Sequence, residues 1–504
     1  MNSLKKISDY LYSQRWCNFK SEITEHNLRH VTFDILPFDK DKILAVGHAE
    51  FAEKDDSYFM MPMKQADENT SDKTLDFEGI AYKDAVEEED FWPSLMNFLE
   101  EKGYSVEIPG GWRLEFNETD DSNKIRDNMG KTSTPLHLEQ SNTTVVVGNQ
   151  ELAFKLERML SFSKEENPEF EMNKKLMREN SSVMPKTHGI LVLHNDKGET
   201  SSSGIIQEFV KNKGDMWNYS VAYIKEKLRQ GYETQTSLTE HNCPEFMRLI
   251  DNLGLKTQEM FDALSKDDDN PNFTPQKADD SFLHIYQNQM KVLLFQTKRN
   301  IAENVDSLPE PTKSQTRRLL KGWDKLTSNF VNQQVGKIER ASEKEAVCRV
   351  HGDFHLGQVL VTKDDDLKFI DFAGEPALPI EQRKQKHISV RDYAGMYRSI
   401  SGYLGAVAAE EFAAEGATSE EIAKRKAYAQ KAVSPLINKA SQRFLGKHTL
   451  NEPWLSLEVF RKNLYEVNYE VCNRPQMAYV PISGLNTLLS SGGTSLANRK
   501  GRDL

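Results

Sequence analysis

The sequence predicts an α+β protein, strand-rich in its first part and helical in its second. Three observations carry this. Short apolar runs at 43–46 and 58–61, and again at 143–147 and 152–156, read as antiparallel strands. Long amphipathic stretches at about 245–265, 281–303 and 311–340 read as helices. One β island at 346–370 interrupts the helices. The 504 residues are 28% charged and 38% apolar or aromatic, the balance of a globular chain with a real core. No apolar run approaches the roughly 18 residues of a membrane-spanning helix. The start, MNSLKKISDYLYSQRW, lacks the apolar stretch of a secretion signal. Cys17, Cys243, Cys348 and Cys472 are sparse and show no CxxC spacing, which disfavours a zinc ribbon or a disulfide scaffold. The expected location is a reducing cytoplasm, with no membrane contact. With 65 basic against 77 acidic residues, net −12, no nucleic acid partner is expected. A small anionic ligand stays open, because local charge can oppose the total.

In chain order, residues 1–115 begin with a helix-like stretch and continue as a sheet. EDFWPSLMNFLEE at 89–101 is an amphipathic helix with Pro93 in its first turn. The polar, turn-rich stretch 117–134 reads as a boundary or an extended surface loop. The runs at 143–147 and 152–156 flank Gly148-Asn149 and form a hairpin. A helix near 168–178 and strands at 189–194 and 204–210 complete a small mixed lobe. Asp215 can cap MWNYSVAYIKEKL. The loop 266–280 is acidic and Pro-bearing, and is expected to be mobile. Strands at 346–351, 359–362 and 367–370 make the island, and helices resume at about 390–412, 419–445 and 456–471.

The island reads VHGDFHLGQVLVTKDDDLKFIDFAGEP. Asp353 follows a strand, Gln358 comes five residues later, and Asp371-Phe372 ends the next hairpin. Phosphoryl transfer on a two-lobed fold like that of eukaryotic protein kinases needs this layout. A loop carboxylate accepts or orients the acceptor's hydroxyl proton, an amide oxygen five positions on binds metal, and a second carboxylate holds Mg²⁺ on the nucleotide phosphates. Hard oxygen ligands suit Mg²⁺. An isolated H-G-D recurs by chance; the combination sets aside the alternative that both carboxylates merely cap turns. His351 reads as a structural hydrogen-bonding residue, and His355 as a candidate substrate contact.

Such a kinase also needs a strand lysine for the α- and β-phosphates and a helix acid to position it. Lys155 in ELAFKLERML and Glu171 in NPEFEMNKKL fill those places. No glycine-rich phosphate loop precedes Lys155; Ser141, Asn142, Thr143 and Thr144 in EQSNTTVVVG offer hydroxyls, an amide and turn N–H groups instead. In IIQEFVKNKGDMW the backbone of Gln207, Glu208, Phe209 and Val210 is the candidate adenine contact, although a plain buried strand would read much the same.

Over nearly its whole length the chain resembles the bacterial maltokinases, and the related glucosamine kinases share much of the same set of motifs. The resemblance is carried by SQRWCNFK, LEQSNTTVVVGN, FKLERML with NPEFEMN, QEFVKNKGDMW, VHGDFHLGQVL, IDFAGEPALPIEQR, RDYAGMYRSI and LYEVNYEVCNRP. It implies an N-terminal cap subdomain at 1–130, a nucleotide lobe at 131–210 and a mainly helical lobe at 211–504. It implies ATP and Mg²⁺ as cofactors, Asp353 as base, Gln358 and Asp371 as metal ligands, and Lys155 on the phosphates. The implied acceptor is maltose, phosphorylated to maltose 1-phosphate for α-glucan synthesis, with trehalose synthase as the partner this suggests. Glucosamine or another amine-bearing acceptor is the second reading. Tyr465 and Tyr469 share a helix face and suit stacking on a sugar ring, while Glu466 and Arg474 can bond its hydroxyls. The chain departs from the group at Cys17-Asn18-Phe19, where an aromatic and glycines are usual, and at Ala373, where an acid is usual. It is also longer, with 266–280 as an insertion. A catalytically silent module binding nucleotide or sugar is the alternative of another class; intact Lys155, Asp353, Gln358 and Asp371 argue against it.

Overall fold

The computed structural model describes residues 4–491 apart from 26, 68–73, 87, 120–122, 129–132, 137–142, 267–268, 343, 376–377, 447 and 449. The chain divides into two compact units. The first comprises Met1–Met177, Pro185–Lys211 and Leu378–Glu381; the second comprises Arg178–Met184, Asn212–Ala377 and Gln382–Leu504.

Two antiparallel sheets make the first unit. Leu28–Pro37, Lys42–Phe51 and Ser57–Gln65 lie side by side, Ile80–Asp84 and Leu75–Phe77 continue the sheet, and Met159–Leu160 pairs with the third strand. The middle strand packs tightly because Gly47 leaves room for a ring: a Cβ there would stand 2.3 Å from Phe59. The second sheet has the order Ser105–Ile108, Trp112–Glu118, Thr187–His194, Thr200–Glu208, Leu152–Leu156, Thr143–Val147, Ser133–Leu136. Strands from before and after the polar stretch 117–134 thus lie in one sheet. The described part of that stretch holds a strand end, the short helix Asn123–Asn128 and the start of Ser133–Leu136.

The helix Phe91–Glu101 shows why the two sheets belong together. Phe91, Trp92, Leu95 and Leu99 are buried on it. They share one core with Leu44, Val46 and Met60 of the first sheet and with Phe154, Leu156, Leu191 and Ile206 of the second. The Trp92 ring meets Phe154 edge-on at 4.6 Å. Burying a side chain of that size contributes about 3 kcal/mol. Later in the chain, Glu381 accepts a hydrogen bond from Ser163 Oγ at 2.8 Å, so the segment Leu378–Glu381 fastens to this unit.

The second unit is mainly helical. Asp215 caps Met216–Gly231, its carboxylate accepting the Asn218 N–H at 2.8 Å. The three amphipathic stretches fold as Pro244–Leu264, Asp280–Asn304 and Thr312–Arg340. The β island divides between two small sheets: Val359–Thr362 and Leu367–Phe369 join Asn212–Asp215, while Ala346–Cys348 joins Gln276–Lys277 and His387–Ile388. Residues 390–412, expected as one helix, form Arg391–Arg398, a wider π-turn over Ser399–Leu404, and Gly405–Ala413. Ser419–Leu445, Glu452–Asn473 and Tyr479–Ser491 follow. The loop expected to be mobile is tied down in its described part. Lys386 Nζ donates to the carbonyls of Pro271 at 2.6 Å and Thr274 at 2.7 Å, and Phe273 is buried. Among the described residues no helix is long and apolar enough to cross a membrane.

Candidate active site

The loop carrying Asp353 leaves the strand Ala346–Cys348 and is held from behind by the helix Arg391–Arg398. Asp392 on that helix is buried, and its two carboxylate oxygens accept the N–H of His351 at 2.7 Å and of Gly352 at 3.0 Å. Burial pushes the Asp392 carboxyl up, opposed by His351 and by those two N–H groups. One turn on, Gly395 has no side chain because a Cβ would stand 2.7 Å from the Phe354 carbonyl oxygen. Ser399 Oγ then accepts the Leu356 N–H at 3.2 Å. Positions 392, 395 and 399 recur at helical spacing on one face, so a single helix stripe fixes the backbone from His351 to Leu356.

His351 has the structural role read from the sequence. Its Nε2 lies 2.9 Å from the Ile370 carbonyl oxygen, which can only accept, so that nitrogen carries a proton. Its ring packs on Phe354 and Phe372, at centroid distances of 5.2 and 4.7 Å. The Asp353 loop and the Asp371 loop are thereby stitched together. They also approach closely at two glycines in the left-handed region: Gly352 (φ +87°) would place a Cβ 3.3 Å from Gly374 Cα (φ +75°). Asp371 itself sits at φ +61°. That conformation costs a non-glycine residue about 1–2 kcal/mol and is concentrated at functional sites.

Gln358 closes a short 3₁₀ turn, its N–H donating to the His355 carbonyl at 2.9 Å. Its own carbonyl accepts the Ile370 N–H at 3.0 Å, which sets Gln358 beside the residue preceding Asp371. The two expected metal ligands therefore spring from hydrogen-bonded backbone. An amide oxygen and a carboxylate are a fitting donor pair for Mg²⁺, which keeps waters and phosphate oxygens in its remaining positions. Among the described residues, no group of three or more His, Cys, Asp or Glu side chains could hold a metal on its own. At Ala373, where an acid was expected by resemblance, the carbonyl accepts from Arg383 Nη1 at 3.4 Å.

Asp353 faces a cation that the sequence reading passed over. Lys462 Nζ, on the helix Glu452–Asn473, stands 3.5 Å from Asp353 Oδ1, and His355 Nε2 lies 3.9 Å from Oδ2. Burial works to raise the Asp353 carboxyl, but Lys462, His355 and His351 outweigh it and hold the group below the usual aspartate range. His355 Nδ1 accepts the Gly357 N–H at 3.0 Å, and burial pushes its imidazole down against the pull of Asp353. Tyr465 lies one turn after Lys462, its ring 5.0 Å from Lys462 Nζ. Burial and the nearby Glu375 carboxylate raise the Tyr465 phenol, so it stays protonated.

The other expected sugar contacts lie elsewhere on the same helix. Glu466 is buried, and its Oε2 accepts from Arg398 Nη2 at 2.6 Å and Nε at 3.0 Å. It was expected to present its carboxylate to a sugar. Standing 100° further round the helix than Tyr465, it meets an arginine inside the protein instead. Tyr469 is 46% exposed and carries the Arg474 guanidinium 5.1 Å from its ring. Arg474 also donates to Glu470 at 2.6 Å. The structure thus gathers His355 and Tyr465 around Asp353 and puts Tyr469 and Arg474 in a second group toward the helix end.

In the first unit, Lys155 occupies an interior strand, opposite Thr144 on one side and Ile205 on the other. Its Nζ pairs with Glu169 Oε2 at 3.0 Å, and the glutamate side chain is nearly fully buried. Glu171, the acid chosen from sequence, is buried two residues later on the helix Pro168–Arg178. Residues two apart on a helix face different ways, so choosing between these acids is choosing a helix face. Thr143 and Thr144 are half-buried on their strand, and Ser141 and Asn142 lie outside the described residues. Of the backbone groups offered to adenine, the Glu208 N–H donates to Lys186 O at 2.8 Å and the Phe209 N–H to Glu151 O at 3.0 Å. Gln207 Nε2 donates to Thr187 Oγ1 at 3.1 Å, and Val210 follows the strand end.

Solved structures of glucosamine kinase align with the chain over most of its length. One, in complex with glucosamine, ADP and inorganic phosphate, has a TM-score of 0.57 at 18% identity, covering 92% of this chain and 94% of that one. A second crystal form gives 0.58 at 18% identity, covering 92% and 95%. The chain has the fold of glucosamine kinase. The kinase-like α+β class read from the sequence is thereby observed. By sequence, a curated glucosamine kinase of Streptacidiphilus jiangxiensis is 29% identical over 140 residues, which is 28% of this chain and only 31% of that protein. No family model matches the chain.

On this fold, four residues acquire places that sequence reasoning missed. Asp392 and Glu375 lay within motifs, in RDYAGMYRSI and IDFAGEP, but had no assigned role. Glu169 was available as the other acid of the same helix turn. Lys462 carried one weak signal, its i,i+3 spacing from Tyr465.

Proposed function

We propose that the chain is an ATP-dependent phosphotransferase acting on a hydroxyl of a small sugar. The observation that carries this reading is Asp353: a carboxylate kept ionised, on a loop locked from behind, with Tyr465 and Lys462 beside it and the Gln358–Asp371 pair hydrogen-bonded into the same loops. Asp353 accepts the proton of the acceptor hydroxyl as that oxygen bonds to the γ-phosphorus of ATP. The bond from phosphorus to the β–γ bridging oxygen breaks, and ADP leaves. Lys155, fixed by Glu169, offsets charge on the α- and β-phosphates, with Glu171 on the same helix and the Thr143 and Thr144 hydroxyls on the neighbouring strand. Gln358 and Asp371 would hold Mg²⁺, which would supply charge neutralisation at the phosphates. Catalysis is then mostly positioning and electrostatics.

Glucosamine is the acceptor favoured by likeness in fold and in partial sequence. Maltose is the second reading, supported by the motifs of the helical part. It would make the product a precursor of α-glucan synthesis and trehalose synthase a functional partner. The test is ATP-dependent phosphorylation of glucosamine, maltose, glucose, maltotriose and an aminoglycoside, each with and without Mg²⁺. Metal-dependent turnover of one sugar supports the proposal and names the acceptor. ATP binding without turnover of any of them removes the sugar-kinase reading in favour of a silent binding module.

A further inference from the structure

The reaction just described gives Lys462 no task, yet it stands 3.5 Å from the atom that takes the proton. Both side chains are partly open, Lys462 at 21% and Asp353 at 25% exposure, so an acceptor can reach the pair. Among the described residues, the groups acting on Asp353 are His351 and His355 from its own loop and Lys462 and Tyr465 from the helix; behind them, the Glu375 carboxylate acts on Tyr465, and Asp371 acts on His355. Lys462 is held in place by the Tyr465 ring as well as by the carboxylate.

We propose that Lys462 is a positioning residue that holds the Asp353 carboxylate in line, and that it bars acceptors whose reacting hydroxyl has a cationic nitrogen on the neighbouring carbon. The inference rests on the sugar-kinase reading. A reacting hydroxyl must come within about 2.6–3.2 Å of Asp353. A nitrogen on the next carbon is then carried to within a few ångströms of Lys462 Nζ, and two ammonium groups at that range repel. Alone, Asp353 would attract such a nitrogen; Lys462 cancels that attraction. A neutral sugar hydroxyl meets no penalty, nor does an ammonium several bonds away. Glucosamine can therefore present its 6-hydroxyl, whereas its 1-hydroxyl, beside the amine, is excluded, and so is the hydroxyl of choline.

The test compares wild type with Lys462→Gln and Lys462→Arg. Lys462→Gln should lower kcat by about 10–100-fold, less than the roughly 10²–10⁴-fold that an acid–base group itself contributes. It should also move the acid limb of kcat/KM to higher pH, because Asp353 loses its counter-cation; Lys462→Arg should restore that limb. Phosphorus NMR of the wild-type product from glucosamine should show no 1-phosphate. In Lys462→Gln, the preference for a neutral acceptor over choline should fall by about tenfold or more. An unchanged acid limb, or wild-type turnover of choline at the rate of a neutral sugar, overturns the proposal. Carboxyl-carbon NMR titration of Asp353, assigned with Asp353→Asn, gives a readout that needs no turnover. If no sugar is phosphorylated, the functional reading falls, and identical Asp353 titration in wild type and Lys462→Gln overturns the positioning role separately.

Discussion

At Asp392 one carboxylate meets two consecutive backbone N–H groups, and so decides the path of the loop that carries Asp353. Replacing Asp392 with alanine orphans both donors in a buried setting, at about 1–3 kcal/mol each. The expected result is a fall of that order in unfolding free energy, read by denaturant titration, with kcat reduced in the protein that stays folded. Asp353→Asn should behave differently: stability and ATP affinity near wild type, and kcat down by about 10²–10⁴-fold. The pH dependence follows from the direction of the Asp353 shift. Its folded value lies below the ordinary one, so Asp353, as the proposed base, stays ionised as pH falls from 7 to 5, and kcat/KM should hold level over that window. A limb centred between 5 and 7 would show that some other group is the base. That the loops of Asp353, Gln358 and Asp371 lie together was legible in the sequence because they follow one another along one short stretch with a hairpin between them. Lys462 was not, because its partner is remote in the chain and a lysine on an amphipathic helix normally reads as solvated surface.

Among the elements, the helix Glu452–Asn473 carries more than one function. One stripe of it faces Asp353 through Lys462 and Tyr465, while Glu466 turns inward to Arg398. Periodicity predicts such a helix and pairs Tyr465 with Tyr469, but it does not say which stripe is buried. That is why Glu466 read as a sugar ligand. Arg398 is packed closely, with Gly402 and Gly484 leaving the space for its guanidinium. Breaking the pair as Arg398→Met leaves Glu466 charged and uncompensated, and should cost about 3–5 kcal/mol; a calorimetric scan reads it as a lowered Tm. The helix break at Ser399–Leu404 was equally illegible, because ISGYLG at 400–405 carries helical periodicity and no proline. For Lys155 the helix was legible, but periodicity does not choose between Glu169 and Glu171, two residues apart on it.

For the whole molecule, the strand and helix content of each part was readable from apolar periodicity, whereas the pairing of strands was not. Local polarity marks 117–134 as a loop, yet the sheet on either side of it is continuous in space through the pairing of Trp112–Glu118 with Thr187–His194. Such pairing depends on contacts far apart in sequence, which composition does not encode. A fragment beginning at residue 131 would lose Phe91, Trp92, Leu95 and Leu99 and expose Phe154, Leu191 and Ile206. In it, residues 131–211 should fail to reach a stable native state, seen as rapid limited proteolysis within that segment while the helical unit resists. Equal resistance of 131–211 in the fragment and the full chain would show that the remaining strands of the second sheet do not need the first sheet or the helix Phe91–Glu101.

The hydrogen bond from Ser163 to Glu381 also has a meaning in time. The strands of the first unit are complete once Lys211 has been made, but its last segment, Leu378–Glu381, lies 170 residues (381 − 211) further along. At translation speeds of about 5–20 residues per second, the nascent sheets wait roughly 10–30 s on the ribosome for that segment. During that interval they must hold without it, while much of the helical unit is still being synthesised.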